Sequence, residues 1–471
     1  MTKSLAASVL LAQFTITAGA SAQAQPAPSP PPPPAAVGGA PAPDTPASAA
    51  PPHAESPPAT PPPPALSPAT TAPPNAPTPA PAPSSGGPTG QPATAAPPNA
   101  PAAPGKPEDK RWYDIVKLEA FVDTYASVNY NFPKPESSLR AAAGGNALRA
   151  YDVTNGFALH WAGLNASIDP KPVGGTLSLR FGPSAQLHNA NDAPYGLANV
   201  KQAFVSWKPL GAESKLTLDL GKYDEPYGSE VGDSQYNINY TRSALFWLAQ
   251  PAFFTGLRVD YAFSNAVDLK LLLTNGWNNS VDINRGKSGG FQLNIKPYDK
   301  LLVSAGYMLG PEQPDYTVTT DATGTHVTNV PGANNRLRHI ADLILDFTPT
   351  ESFRALLNAD FVADDAGDKV NKWYGVNLAL RYAFNEKFSA ALRGEYFGDP
   401  DGIATATGKD TQLVEGTLTL GYAPIANLIF KLDQRVDVGF TRDGTAIFPA
   451  GVGGASKTQI TTTLGVVATT N

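Results

Sequence analysis

Between Lys215 and Asn278 the chain alternates apolar and polar residues with a period of two. Leu216, Leu218 and Leu220 share one face and Thr217, Asp219 and Gly221 the other, the pattern of a half-buried strand. A polar and aromatic excursion from Tyr223 to Phe253 follows, and then Leu257, Val259, Tyr261 and Phe263 alternate with Arg258, Asp260 and Ala262. A turn at Ser264-Asn265-Ala266 leads into Val267, Leu269, Leu271 and Leu273, which repeat the pattern. The same reading predicts strands over 116–131, 156–168, 175–182, 199–208, 215–222, 256–263, 267–274, 290–296, 301–309, 337–347, 353–363, 373–384, 388–397, 413–422, 428–438 and 457–468.

These runs number about sixteen, and their connections fall into two kinds. Short turns such as Lys208-Pro209-Leu210-Gly211, Lys296-Pro297-Tyr298-Asp299 and Ala423-Pro424-Ile425-Ala426 follow even-numbered runs. Long loops, as in 132–155, 223–253, 310–336 and 398–412, follow odd ones. A soluble sandwich has no reason to collect its short loops at one end, whereas an outer-membrane barrel does. One face of the runs is apolar. The other carries Arg180, Asp260, Lys270, Arg338, Asp342, Arg354, Asp360, Arg381, Arg393, Glu395, Lys431, Asp433 and Arg435. Unpaired charges in a dry core cost several kcal/mol each, roughly, but a water-filled lumen admits them. The expected fold is therefore all-β, an antiparallel transmembrane β-barrel whose apolar face meets outer-membrane lipid. Aromatic girdles are expected from Trp207, Phe263, Phe347, Phe353, Phe384 and Phe388 at the short-turn end, and from Trp277, Tyr307, Trp373, Tyr374 and Tyr396 at the other.

Composition divides the chain into three parts. Lys3, the apolar run to Ala20 and the small residues to Ala24 read as a signal peptide over 1–24. Residues 25–111 hold most of the 49 prolines with Ala, Ser and Thr, a composition expected to remain disordered as a periplasmic linker. Such a tract extends about 3.1 Å per residue and could reach peptidoglycan, although a spacer without a partner is the favoured reading. The barrel is assigned 112–471. The chain has no cysteine, so disulfides and cysteine metal sites are excluded. With 40 acids against 34 bases and no basic block, nucleic acid is not an expected partner.

Catalysis and metal binding find little support. His339 lies near a long-loop end without a serine on a neighbouring run, and His188 and His326 lack a second spaced ligand. Asp364, Asp365 and Asp368 do not match a calcium loop. No cofactor and no enzyme activity are expected.

The runs Gly221-Lys222-Tyr223, Pro226-Tyr227-Gly228-Ser229-Glu230, Asn239-Tyr240-Thr241-Arg242-Ser243, Thr255-Gly256-Leu257-Arg258 and Thr274-Asn275-Gly276-Trp277-Asn278 resemble the OmpL-like family of β-barrel porins. The resemblance covers the chain from about Val116 onward. It implies an outer-membrane pore of Gram-negative type, with no assigned substrate. Ending in Ala468-Thr469-Thr470-Asn471 departs from the terminal aromatic usual in such barrels.

A barrel of about sixteen strands encloses an aqueous channel, so the expected function is passive diffusion of small hydrophilic solutes or ions. The 223–253 excursion is the candidate for a loop folded inward, with Asp224, Glu225, Glu230, Asp233 and Arg242 opposing Arg258 across a constriction. The alternative is a non-conducting or plugged barrel acting as adhesin or envelope tether. A homo-oligomer is compatible with this reading, but no interface is legible.

Overall fold

The computed structural model describes residues 115–134, 145–321 and 324–470. The export signal and the Pro-rich linker expected over 1–111 lie outside the described residues.

Alternating residues form β1 (Val116–Asn129), β2 (Gly156–Ile168), β3 (Val173–Phe181), β4 (Val200–Trp207), β5 (Leu216–Asp224), β6 (Phe253–Ala262), β7 (Val267–Thr274), β8 (Ser288–Tyr298) and β9 (Leu301–Pro311). Two short strands, β10 (Tyr316–Asp321) and β11 (Gly324–Asn329), make a separate hairpin. Then come β12 (Leu337–Thr350), β13 (Phe353–Asp365), β14 (Val370–Ala383), β15 (Phe388–Asp399), β16 (Thr411–Ile425) and β17 (Leu428–Thr441). A second small hairpin joins β18 (Phe448–Ala450) to β19 (Gly454–Ser456), and β20 (Thr458–Thr469) is last.

Sixteen of these close into one barrel in chain order, the two small hairpins standing apart. Closure is made by β20 along β1, from Phe121 opposite Thr469 to Asn129 opposite Thr461. Neighbouring pairs are antiparallel, and closure leaves none of the sixteen described barrel strands with an unpaired edge, which is the condition for spanning a bilayer with strands.

Leu118, Val122, Leu220, Leu271, Leu392, Leu418 and Leu420 are exposed on the outer face. At the short-turn end Trp207, Phe263, Phe384 and Phe388 are also exposed, as a girdle requires. Two residues expected in the opposite girdle are not there. Trp277 and Trp373 are 8% and 4% exposed and point into the barrel, where the Arg338 guanidinium stacks over both at 5.0 and 5.7 Å. A cation held over an indole face offsets part of the cost of enclosing it. Tyr307 does face outward, its hydroxyl 2.6 Å from His339 Nδ1.

The inner face is not uniformly polar either. Toward the long-loop end Leu272, Met308, Ile340, Val362, Trp373, Phe397 and Leu413 point inward and form one buried cluster. In sequence each sits beside an outward apolar neighbour, as in Leu271-Leu272-Leu273 or Tyr396-Phe397. At these positions alternation lapses into consecutive apolar residues because both faces are covered.

Candidate functional site: a chain segment across the lumen

The apolar inner cluster is covered by the chain between β5 and β6, which turns into the barrel. It holds a short helix (Ala244–Leu248), capped by Ser243, whose side chain accepts from Phe246 N at 3.1 Å. Leu245 of this helix and Tyr227 both belong to the apolar cluster. Two wall glycines make room for its rings. A Cβ on Gly306 would stand 2.5 Å from the Tyr227 ring, and one on Gly465 would stand 1.9 Å from the Tyr240 ring. Replacing Gly465 by Val is therefore expected to expel Tyr240 at a cost of about 1–3 kcal/mol. A lowered urea midpoint of the refolded barrel checks it, against an unchanged midpoint for Gly394→Val, where a Cβ meets open space.

Polar groups pin the same segment to several strands of the wall. Gly228 N donates to Asp342 Oδ1 at 3.1 Å and Ser229 N to Asn358 Oδ1 at 3.2 Å, while Gln250 Nε2 donates to Asp360 Oδ2 at 2.6 Å. Farther round the wall, on β17 and β16, Tyr240 N and Thr241 N donate to Asp433 at 3.1 and 2.8 Å, and Asn239 Nδ2 donates to Thr419 Oγ1 at 2.7 Å. Tyr240 OH reaches Asp123 on β1 at 2.7 Å. Each contact satisfies a polar group that the segment would otherwise bury unpaired.

Ion pairs complete the anchoring. Arg393 donates to Glu230 at 2.7 Å and to Glu415 at 3.0 Å, and Glu395 accepts from Ala244 N at 2.8 Å and from Leu245 N. Arg435 donates to Asp437 and to the carbonyl of Arg242, at 2.8 and 2.6 Å. Arg180 forks onto Asp233 with two bonds of 2.9 Å. Lys201 lies 3.6 Å from Asp233 and also binds Asp224. Burial alone would push the Asp233 carboxyl up, but Lys201 and Arg180 hold it below the ordinary carboxylate range. Burial, with Asp224 beside it, pushes the Glu225 carboxyl well up against the opposing pull of Lys201.

The constriction expected from the sequence needs correction at Arg258. That guanidinium stays on the wall, bound to Asp219 at 2.8 and 3.0 Å, because the two residues stand directly opposite on β5 and β6. Cross-strand pairing captures it before the inserted segment can. The cations that meet the segment's acids are Arg180, Lys201 and Arg393. Arg242, on the segment, instead donates to the Tyr240 and Gly232 carbonyls and to Ser234. Lys201 was not legible: the irregular pairing of β3 with β4 at Ser178/Leu179 shifts the parity that would have marked it as inward.

The remaining wall charges pair among themselves or line the short-turn end. Lys270 lies 3.3 Å from Asp260 and 2.9 Å from Asp268, Arg354 forks onto Asp346, and Arg338 holds Asp364 at 2.8 Å. Arg381 stands opposite Arg354, and Lys431 donates to the Ser234 carbonyl at 2.8 Å and to that of Asn237.

Two other loops fold over the long-loop end. Arg149 joins Asp152 to Asp437, both at 2.8 Å, and Tyr151 packs against His160 and Trp161 at 5.1 and 5.3 Å. Glu312, just past β9, accepts from Trp277 N and Ser288 Oγ at 2.7 Å, and burial raises its carboxyl to about 7. The folded state therefore keeps a proton there that the unfolded chain loses near pH 4.5, so the stability of this region against opening falls as pH rises from about 4.5 to 7. Hydrogen exchange around Trp277 is expected to quicken over that window in the wild type and to become pH-independent, apart from intrinsic chemistry, in Glu312→Gln.

No curated protein matches the sequence at a significant level. Among solved structures the chain is similar to OmpT, an outer membrane protein of Vibrio cholerae, at 11% identity and TM-score 0.48, covering 75% of this chain and 97% of that one. It is similar to the outer membrane channel DcaP of Acinetobacter baumannii at 10% identity and TM-score 0.48, covering 75% and 96%. A third similar structure is the anion-selective porin from Comamonas acidovorans, at 12% identity and TM-score 0.46, covering 75% and 99%. The model of the family described as "Putative beta-barrel porin-2, OmpL-like" matches residues 115–469, the whole closed barrel with its inserted segment. The chain is thus a member of the OmpL-like β-barrel porin family, an outer-membrane barrel of bacterial type.

Proposed function

We propose that the protein passes small hydrophilic solutes or ions by passive diffusion, at a rate limited by the segment between β5 and β6. The observation that carries this reading is the row of charged groups of both signs, Arg180, Asp233, Glu230, Arg393 and Asp433, where that segment crosses the lumen. Fixed charges around a narrow aqueous passage screen solutes by size and charge. No step of the transport needs covalent chemistry. Lipid surrounds the outer face, and in this reading the Pro-rich tract lies in the periplasm as a spacer or a tether to peptidoglycan.

Liposome swelling tests it. Proteoliposomes of the full chain are expected to admit the smallest sugars and amino acids and to slow steeply as solute size rises. A second reading, a closed barrel serving as adhesin or tether, is favoured by the packing of Leu245 and Tyr227 against Trp373, Phe397 and Leu413. Folded barrels that admit no solute, while retaining their heat-modifiable gel mobility, would select it over diffusion.

A further inference from the structure

Between the innermost turn of the inserted segment and the short-turn end lies a cavity of about 290 Å³, lined by Gln235, Asn237, Arg381, Ser389, Gly421 and Lys431 among others. Small wall residues leave this room: Ala391 and Thr419 face each other, as do Ser389 and Gly421. Its charges are unbalanced. Arg354 and Arg381 stand directly opposite on β13 and β14, a like-charge pair that costs stability unless an anion intervenes. Arg354 is neutralised by its fork onto Asp346, at 2.9 Å for both bonds.

Arg381 forms no ion pair or hydrogen bond among the described residues. Lys431 on the adjoining wall meets the carbonyls of Ser234 and Asn237, which orient its ammonium without cancelling its charge. The nearby acids are otherwise engaged. Asp433 accepts from Tyr240, Thr241 and Thr419, and Glu119 accepts from Tyr236 OH. Glu386 is the carboxylate in the lining, and Lys387 beside it offsets its charge. The Gln235 side chain also lines the cavity.

We propose that this cavity binds a small anionic solute through a carboxylate or phosphate group, with Arg381 and Lys431 supplying charge. The proposal rests on the porin reading, since the solute must enter the lumen, and it names the class of solute retained there. A planar guanidinium with a free fork matches either oxyanion bidentately.

The test is isothermal titration of the refolded full chain in detergent with inorganic phosphate and, separately, with succinate. Binding of at least one is expected, weakened roughly tenfold or more in Arg381→Gln through loss of a charge-assisted bond and less in Arg381→Lys. Asp260→Asn, at a wall position outside the cavity lining, is expected to bind as the wild type does. Removing an unpaired cation from a like-charge pair leaves the fold intact, which unchanged gel mobility verifies. The probe that binds tells phosphate from carboxylate chemistry. No binding of either, or equal affinity in Arg381→Gln, overturns the proposal. Because equilibrium binding needs no conduction, binding in a barrel that admits no solute would remove the porin reading alone, and permeation without binding would remove this inference alone.

Discussion

Replacing residues 229–248 by a short Gly/Ser linker is expected to raise single-channel conductance several-fold and to admit solutes that the intact protein excludes. The removed chain carries Tyr240, Leu245 and Glu230, which meet Asp433, the apolar wall cluster and Arg393 inside the lumen. The barrel itself closes through strand pairing that the deletion does not touch. A sixteen-stranded barrel without an inward segment has the bore of an open aqueous channel. The wall charges left behind, Glu395, Asp433 and Arg393, gain water in place of the segment and so need no new partner. Conductance equal to that of the intact protein would mean that the segment does not limit flow.

The second large effect is expected at Arg393. Its guanidinium, almost fully enclosed, serves Glu230 from the segment, Glu415 from β16 and the Thr241 carbonyl at once. Arg393→Met fills similar space but strands two carboxylates in a site built for a cation. Breaking a buried ion pair by removing one partner costs about 3–5 kcal/mol. The urea midpoint of the refolded barrel is expected to fall accordingly. The double change Arg393→Met with Glu230→Gln is expected to recover part of the loss, since one of the stranded charges is gone. A fall of less than about 1 kcal/mol would place Arg393 among the screened, solvated pairs.

Most of the barrel was legible because its physical signal is local. The alternation around Val267 to Thr274 and Gly156 to Ile168 marks strands whose ends coincide with those found. The contrast of short and long connections marks which end of each strand faces which side. Ionic partners were less legible, since a charge's inward direction follows from parity but its partner depends on depth along the barrel and on what else enters the lumen. Arg258 shows this: Asp219 lies level with it on the next strand and takes it. The inward tryptophans show the other limit. Trp373 beside Tyr374 reads as a girdle pair until the segment that covers Trp373 is known. The two small hairpins were missed because β11 is exposed along its length and carries no alternation of burial to reveal it.

The placement of the segment inside the barrel is the claim on which the conductance expectations rest, and cross-linking tests it directly. The protein has no cysteine, so Asn239→Cys with Thr419→Cys introduces the sole thiols, at positions whose side chains meet at 2.7 Å. With the segment across the lumen, a short bifunctional thiol reagent joins the two in folded barrels nearly completely, and a bulky impermeant maleimide added from the long-loop side labels neither. Efficient labelling of the thiol at 239 from outside, with no cross-link to position 419, would contradict it.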